Sequence, residues 1–345
     1  MKILIVCNID SNPNPFVPTL AEGIRRKGCE VQCSIDDFWN RWEEYDIIHL
    51  QWPDLLIDKG AEELKSNLYR IKKAGRSIVL TCHNLHSHGR NPHLDEMYNI
   101  VFQAVDVFVH MGNESERICK EKYPHARHVI IPHHVYNTIY GELPPKSESI
   151  KHLNLRENNI HILCMGAFRN ESERYLVSTL AKRLRKKHIT ILAPNYRHLK
   201  KWNEARLLLA IRNNLVYVLD KLTNRNIVFH RELVPDNEIP YYYSASDVAL
   251  IHRNDILNSG NLPMAYLFGK PVIGPSVGNV GEILRETNNL FFTPYDTESV
   301  INSVEKLLSN NYLEIGEHNK KIALENWNVS VVAEQYVKLY NSLLL

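Results

Sequence analysis

Short apolar runs recur along the first part of the chain, and each is followed by a polar segment or by a stretch with helical spacing. The runs before residue 135 are ILIVC (3–7), VQCSI (31–35), DIIHL (46–50), SIVLTC (77–82), VDVFVH (105–110) and HVIIP (128–132). Continuous apolar runs of this length are typical of strands buried on both faces of a sheet. With helices predicted over residues 17–27 and 59–74, the pattern predicts a parallel sheet covered by helices on both sides.

The alternation stops over residues 137–159, which lack periodicity and are predicted to be a connection, and it restarts at residue 161. The later runs are HILCMG (161–166), ITILAP (189–194), NIVFH (226–230), DVALIH (247–252), PVIGP (271–275) and LFFTP (290–294), with helices over 172–187 and from about 262. We therefore predict two doubly wound α/β domains, residues 1–145 and residues 146–328. Residues 196–224 have helical spacing without a predicted role, and residues 329–345 are predicted to form a helix that packs on an existing surface.

Composition narrows the function classes. A chain of 345 residues exceeds the roughly 250 to 300 residues of one core, which agrees with two domains. The net charge of +2, with a mildly basic second half, suits a phosphate-bearing ligand but lacks the dense basic stripe of a protein that binds nucleic acid. The five apolar residues near the N-terminus are too short for a signal-peptide core, so we expect a cytoplasmic protein whose six cysteines are reduced.

The loops after the strands of the second half carry the first candidate site, because ligands of open parallel sheets bind beyond the carboxyl ends of the strands. Asn258, Ser259 and Gly260 lie between the run 247–252 and the next helix. A helix start presents unpaired N–H groups, and a glycine there allows a phosphate to approach, so this turn suits a diphosphate. The alternative is a plain helix start, with a Ser or Asn cap and Pro263 in the first turn.

Arginines follow three strands of the same half. Arg169, Arg231 and Arg253 each come directly or shortly after an apolar run. A guanidinium can hold phosphate oxygens with two parallel hydrogen bonds, and a diphosphate leaving group needs such charge neutralisation. For Arg169 the alternative is a surface arginine paired with Glu171 or Glu173.

A long segment of the second half resembles a known family. Residues 230–284, HRELVPDNEIPYYYSASDVALIHRNDILNSGNLPMAYLFGKPVIGPSVGNVGEIL, resemble the donor-binding half of GT-B-fold glycosyltransferases related to glycosyltransferase family 4. The matching elements are Pro235 to Glu238, Ser246-Asp247, Arg253, Ser259-Gly260, Ala265, Gly269, Pro271-Val272, Gly278 and Glu282. In the first half they are Asn14-Pro15, His49 to Pro53, Thr81 to Asn84 and Ile131 to His133.

The resemblance implies two Rossmann-like domains that face each other across a cleft, with residues 329–345 crossing back to the first domain. It implies a transfer of a hexose from a nucleoside-diphosphate sugar, GDP-mannose or a UDP-sugar, to a glycan or lipid-linked acceptor in polysaccharide biosynthesis. The second domain would bind the donor, with Glu282 at its sugar or ribose. The first would bind the acceptor through residues Asn14, Gln51, Trp52, Asn84 and His133. No cofactor and no essential metal are expected, because such enzymes neutralise the diphosphate with arginines, helix ends and amides.

One departure concerns stereochemistry. Retaining members of the family carry two glutamates eight positions apart, and Ile256 and Met264 stand at those positions here, with Asp255 one residue away. An inverting enzyme needs a base near the acceptor hydroxyl. His83, at the end of the run 77–82, is the candidate, since its ordinary pKa of ~6.5 suits proton removal near neutrality. The alternatives are a histidine that anchors its own loop, or Asp10 or Asp54 as the base.

Two further clusters give weaker signals. The loop residues Cys82, His83, His86, His88 and His93 are of metal-ligating types, but their spacing matches no zinc pattern. The cationic segment 182–187 suits peripheral contact with the inner membrane surface, although such clusters more often solvate the last turn of a helix. Two other functions share the expected architecture, a sugar-nucleotide epimerase and a non-catalytic nucleotide-sugar-binding partner. A dehydrogenase is disfavoured because no Gly-x-Gly-x-x-Gly follows the first run.

Overall fold

The computed structural model describes residues 1–9, 14–87, 91–197, 207–230, 232–309 and 312–344. The chain divides into two compact units, Met1–Ile139 with Ala323–Leu345, and Tyr140–Ile322. Within the described residues each unit contains a parallel six-stranded sheet, and the two sheets have different strand orders. Each unit is therefore described separately.

The first unit has the sheet order β2-β1-β3-β4-β5-β6. Its strands are β1 (Lys2–Val6), β2 (Glu30–Cys33), β3 (Ile47–Leu50), β4 (Ser77–Thr81), β5 (Val107–His110) and β6 (Arg127–Ile130). Its helices are α1 (Phe16–Arg25), α2 (Ile35–Asn40), α3 (Gly60–Lys73), α4 (Pro92–Ala104) and α5 (Asn113–Lys122). Strands β3 and β5, each of which has a neighbour on both sides, are buried at every position, which explains their continuous apolar runs.

The second unit has the order β12-β11-β10-β7-β8-β9. Its strands are β7 (Ile160–Leu163), β8 (Ile189–Leu192), β9 (Ile227–Val228), β10 (Val248–Leu250), β11 (Val272–Pro275) and β12 (Leu290–Phe292). Its helices are α6 (Lys146–His152), α7 (Glu171–Leu184), α8 (Leu207–Thr223), α9 (Ile239–Ala245), α10 (Asn261–Leu267), α11 (Gly278–Glu286), α12 (Thr297–Leu308) and α13 (Tyr312–Glu325), the last of which spans the division between the units.

The final helix, α14 (Val329–Asn341), packs on the first unit. It runs so close to α1 that a Cβ added to Gly23 would lie 3.0 Å from the Cβ of Ala333. Tyr336 and Tyr340 are buried, and their hydroxyl groups bond to Thr81 Oγ1 (3.2 Å) and to His49 Nδ1 (2.7 Å). The tail is therefore part of the core of this unit.

Two local expectations were wrong. Ile35 begins α2 instead of ending a strand, because the side chain of Ser34 accepts a hydrogen bond from Asp37 N (2.9 Å) and caps the helix. The expected connection 137–159 contains α6, which packs on α9 through buried Ile150. A single apolar contact residue in seven gives too little periodicity to predict such a helix.

Helix α8 lies in the segment whose role the sequence did not suggest. Its outer face carries exposed apolar side chains at helical spacing, namely Ile211, Leu215, Val218, Leu219 and Leu222, while Tyr217 packs against the core. Throughout the described part of the chain, every helix is too short or too polar to cross a bilayer.

Candidate functional site

The strand order places a ligand site in the second unit at the carboxyl ends of β7 and β10. The two strands are neighbours, and the sheet continues from β7 toward β8 and from β10 toward β11. Connections therefore leave in opposite directions at this point, and ligands of open parallel sheets bind at such a point, so the loops 164–170 and 251–260 are the candidate site.

Side chains hold these two loops together. Asn261 Nδ2 donates to Met165 O (2.7 Å), and Arg253 Nη2 donates to Ala167 O (2.6 Å). Gly166 has a φ of +95°, and a Cβ there would lie 3.0 Å from Asn261 Nδ2. The backbone angle favours glycine at this position, and a side chain there would also have to displace the Asn261 amide.

Arg253 is buried and does not present its charge to solvent. Its guanidinium forms an ion pair with Glu173, and the Glu173 side chain is only 4% exposed. The same carboxylate accepts a hydrogen bond from Arg169 N (2.7 Å). Glu173 thus joins both loops, and the pairing with Glu173 that was considered for the Arg169 side chain is made by Arg253.

Arg169, in contrast, is exposed. Loss of water around its guanidinium and the nearby charge of Arg253 lower the pKa of Arg169, while Glu173 and Asp255 act in the opposite direction. An arginine remains protonated at neutral pH after such a shift. Among the residues placed here, Arg169 therefore offers a positive charge in the loop that follows β7.

The predicted turn, residues 258–260, follows β10 and is held by hydrogen bonds to residues of α10 and α11. Asn258 Oδ1 accepts from Asn279 Nδ2 (2.8 Å), and Ser259 Oγ accepts from Asn261 N (3.3 Å). Gly260 is exposed directly before α10. A Cβ on Gly278 would lie 2.3 Å from Ile256 O, so the start of α11 touches the backbone of this loop.

The other predicted donor residues are placed as follows. Glu282 is half-buried on α11, one turn beyond Gly278. Arg231 lies outside the described residues. Met264 is buried, Ile256 is half-buried and Asp255 is exposed, so the positions of the two family glutamates hold apolar side chains.

The first unit gathers predicted residues at the ends of β3 and β4. His83 Nε2 lies 2.9 Å from Gln51 Oε1, and the His83 ring stacks on Trp52 with centroids 4.2 Å apart and planes at 16°. Phe16 meets the edge of His83 at 4.9 Å. Strand ends thus bring His83, Gln51 and Trp52 into one cluster.

Phe16 extends this cluster to the remaining residues. Its ring lies 4.8 Å from His133 and stacks at 4.7 Å on His134, and Asn14 Oδ1 accepts from Phe16 N (3.0 Å). Sequence reasoning missed Phe16 and His134. The position of Phe16 directly after Asn14-Pro15 was the available signal.

The hydrogen bond from His83 to Gln51 continues into a chain of buried hydrogen bonds. Gln51 Nε2 is 3.1 Å from His49 Nε2, and His49 Nε2 is 2.8 Å from Thr81 Oγ1. Because an amide NH₂ only donates, His49 Nε2 accepts from Gln51, which leaves Gln51 Oε1 to accept from His83. Burial lowers the pKa of His49 to about 3.

The protonation of His83 follows from its surroundings. Loss of water around the ring and the nearby His133, His49 and His134 hold the pKa of His83 well below 6.5. The imidazole is therefore neutral at pH 7, which is the form a base needs, although a low pKa weakens it as a proton acceptor.

The other candidates in this unit differ in their placement. Asp54 accepts from the Tyr98 hydroxyl (3.2 Å), and Asn84 is half-buried beside that tyrosine. His86 Nδ1 lies 3.0 Å from Ser87 O, to which it donates a hydrogen bond. Asp10 and His88 lie outside the described residues.

The cationic segment at the end of α7 is partly neutralised. Arg183 pairs with Glu298 (3.1 Å) and Lys187 with Glu305 (2.6 Å), all exposed. These pairs with α12 fit the solvated end of a helix, and contact with a membrane surface stays a prediction.

Comparisons with known proteins identify the fold. No family model and no curated protein matches the chain. A sucrose-phosphate synthase from Thermosynechococcus elongatus is similar in structure, with 14% identity, a TM-score of 0.75 and coverage of 99% of this chain and 98% of that one. Anabaena HepE in complex with UDP has 14% identity, a TM-score of 0.72 and coverage of 99% and 100%.

A third similar structure belongs to another enzyme class. A UDP-N-acetylglucosamine 2-epimerase described as putative, from Listeria monocytogenes, has 11% identity and a TM-score of 0.60, with coverage of 99% of this chain and 95% of that one. At such identities the likeness establishes the fold alone. The prediction of two doubly wound, Rossmann-like domains of the GT-B type is confirmed.

Proposed function

We propose that this protein is a glycosyltransferase that moves a hexose from a nucleoside-diphosphate sugar, GDP-mannose or a UDP-sugar, to a hydroxyl of a glycan or lipid-linked acceptor in polysaccharide biosynthesis. The observation that carries the proposal is the arrangement of side chains at the neighbouring carboxyl ends of β7 and β10. There Arg169 presents its charge while Arg253 is tied to Glu173. The same fold is found in HepE in complex with UDP-glucose.

The donor diphosphate would bind between Arg169 and the turn Asn258 to Gly260. The guanidinium and the backbone N–H groups of the turn would neutralise the charge that develops as the nucleoside diphosphate leaves. Glu282 would contact the donor sugar or ribose, and Arg231 stays a proposed ligand. Arg253 has a positioning role here, because its contacts hold both loops in place.

The acceptor would bind at the cluster of the first unit. Trp52 and the neighbouring rings offer apolar faces for sugar C–H groups, and Asn14, Gln51, Asn84 and His133 offer hydrogen-bonding groups. In the proposed step the acceptor oxygen attacks C1 of the donor sugar, and the bond from C1 to the diphosphate breaks. The acceptor proton would pass to Nδ1 of His83, because Nε2 of the neutral ring carries the hydrogen that it donates to Gln51 Oε1. Such a single displacement inverts the configuration, which agrees with apolar side chains at 256 and 264.

The charge neutralisation described above uses only protein groups. We therefore expect transfer to proceed in the presence of a chelator such as EDTA.

A ligand panel followed by product analysis tests the proposal. UDP, GDP, dTDP and their sugars are compared by thermal shift, since a ligand at 100 times its Kd stabilises a fold by ~2.7 kcal/mol. The sugar nucleotide that binds is then incubated with and without glycan and lipid-linked acceptors. We expect a glycosylated product only when an acceptor is present.

Other outcomes would contradict the proposal in different ways. Conversion of the sugar nucleotide without an acceptor would indicate the epimerase activity that the Listeria structure suggests. Tight binding without turnover on any acceptor would indicate a non-catalytic partner protein. Arg169→Ala should abolish transfer without changing the thermal midpoint, whereas Arg185→Ala, an exposed arginine of the same unit, should leave transfer unchanged.

A further inference from the structure

Three buried side chains outside the proposed transfer site come together in the first unit. Cys82 directly follows β4, His110 is the last residue of β5, and Cys119 lies on α5. One ligand atom from each lies within 4.8 Å of the other two, and the three residues are at most 1% exposed. We propose that Cys82, His110 and Cys119 form a binding site for one zinc ion.

The first argument is an unsatisfied nitrogen. His110 Nδ1 is buried, and within the described chain it has no hydrogen-bond partner. Burying such a group without a partner is costly. Since the other nitrogen, Nε2, already bonds to His128 Nδ1 (3.0 Å), Nδ1 is the atom that His110 contributes to the cluster.

The second argument concerns the proton of that ring. His128 Nε2 lies 3.0 Å from the carbonyl oxygen of Tyr123, which can only accept, so His128 Nε2 carries the hydrogen. In the neutral ring His128 Nδ1 is then an acceptor, and His110 Nε2–H donates to it. This order leaves a lone pair on His110 Nδ1, the form that binds metal. Metal-binding histidines are commonly oriented in this way through their second nitrogen.

Charge and softness select the ion. Thiolate ligands prefer zinc or copper(I) among biological metals. Two thiolates and one neutral imidazole form a neutral assembly with Zn²⁺, whereas copper(I) would leave a net negative charge in a buried place, which is unfavourable. Binding releases the two thiol protons to solvent, and a water takes the fourth position.

The geometry requires only small movements. With Zn–S near 2.3 Å and Zn–N near 2.0 Å, tetrahedral ligand atoms lie about 3.5 to 3.8 Å apart. The three atoms therefore approach each other by at most about 1.3 Å from separations of up to 4.8 Å. Because Cys82 precedes His83, a bound ion would fix the peptide that carries His83 to α5.

Zinc binding to the full-length protein tests the site. The reduced, metal-free chain is titrated with Zn²⁺ against a chromogenic chelator. We expect one tight equivalent in the wild type and a loss of at least ~100-fold in affinity for Cys119→Ala, since removal of a ligand should exceed the 10- to 100-fold effect of an outer partner. Cys29→Ala, a buried cysteine elsewhere in the same unit, should bind as the wild type does.

Two further measurements keep the result decisive. Co²⁺ in the wild type should give a thiolate-to-metal charge-transfer band, which does not depend on whether any variant folds. His128→Phe should keep this band but weaken Zn²⁺ binding about 10- to 100-fold, because the acceptor that orients His110 is lost. Equal Zn²⁺ binding by the wild type and Cys119→Ala, or Co²⁺ spectra without the thiolate band, would overturn the proposal.

Discussion

The two units share a parallel six-stranded sheet but differ in what stands at the strand ends. In the second unit the loops carry charges and glycines, and they are fixed by the buried pair of Arg253 and Glu173 and by close backbone contact at Gly278. In the first unit the corresponding region consists of neutral imidazoles, amides and aromatic rings stacked around Phe16 and Trp52.

Under the proposed function, this difference matches two kinds of ligand. A donor diphosphate would be held by charge and by N–H groups in a fixed backbone, as in the second unit. An acceptor hydroxyl would be held by uncharged groups and ring faces, as in the first unit. The following predictions test whether the two regions differ in this way.

The largest effect is expected from the buried ion pair of the second unit. Arg253→Met leaves the carboxylate of Glu173 buried without its partner and should lower the free energy of unfolding by about 3 to 5 kcal/mol. Urea denaturation measures this. The double variant Arg253→Met/Glu173→Gln should recover much of the loss, and a single-variant effect below about 1 kcal/mol would show that the pair does not organise these loops.

Backbone contact in the same unit gives the next prediction. Gly278→Ala places a Cβ 2.3 Å from Ile256 O at a φ of +62° and should cost about 2 to 4 kcal/mol from strain and overpacking together. It should also weaken nucleotide binding, because the turn at 258–260 must move. The control is Gly141→Ala, whose Cβ would meet nothing within 4 Å. Equal denaturation midpoints for the two variants would contradict the argument.

In the first unit the expected signature is a dependence on pH. The pKa of His49 is about 3 in the folded state and ~6.5 in the unfolded chain, so the unfolded state binds the proton first as pH falls. Stability from His49 is therefore complete above pH 6.5 and is lost below it, by about 1.4 kcal/mol between pH 7.5 and 5.5.

Urea titrations at the two pH values measure this contribution. His49→Gln should make stability less dependent on pH by that amount, whereas substitution of exposed His188 by Gln should not. If the free energy of unfolding changed between pH 7.5 and 5.5 as much in His49→Gln as in the wild type, the assignment of a neutral, buried ring would be wrong.

The smallest effect concerns the ring faces of the first unit. Trp52→Leu removes the stacking partner of His83, and aromatic contacts of this kind contribute about 0.5 to 1.5 kcal/mol. We expect kcat/KM for the acceptor to fall about 2- to 10-fold while the Kd of the donor stays constant. If donor affinity changed and acceptor kinetics did not, the proposed placement of Trp52 at the acceptor would be wrong.

Features that depend on neighbouring residues could be predicted from the sequence, whereas contacts between distant segments could not. Continuous apolar runs such as residues 46–50 and 77–82 predicted buried strands because burial on both faces leaves a direct trace in composition. Gln51 and Trp52 were named through the resemblance to a known family, and His83 through its position at the end of the run 77–82; the structure brings the three side chains together. Their exact partners could not be predicted, since Phe16 and His134 join the cluster only through packing.

Contacts between separate elements were beyond sequence reasoning. Nothing near Glu173 in the sequence indicated that its carboxylate would form a buried ion pair with Arg253, 80 residues away. Cys82 was considered with the histidines of its own loop, whereas the structure places it beside His110 and Cys119 from β5 and α5. Spacing along the chain carries no signal for ligand sets of this kind.

The central claim, that the loops after β7 and β10 hold the donor diphosphate, is tested most directly by calorimetric titration with UDP and GDP. The wild type and Arg185→Ala should bind one of them with equal affinity. Arg169→Ala should bind it at least about 10-fold more weakly, as expected for a lost hydrogen bond to a charged group. Equal affinity of Arg169→Ala and the wild type would contradict the claim.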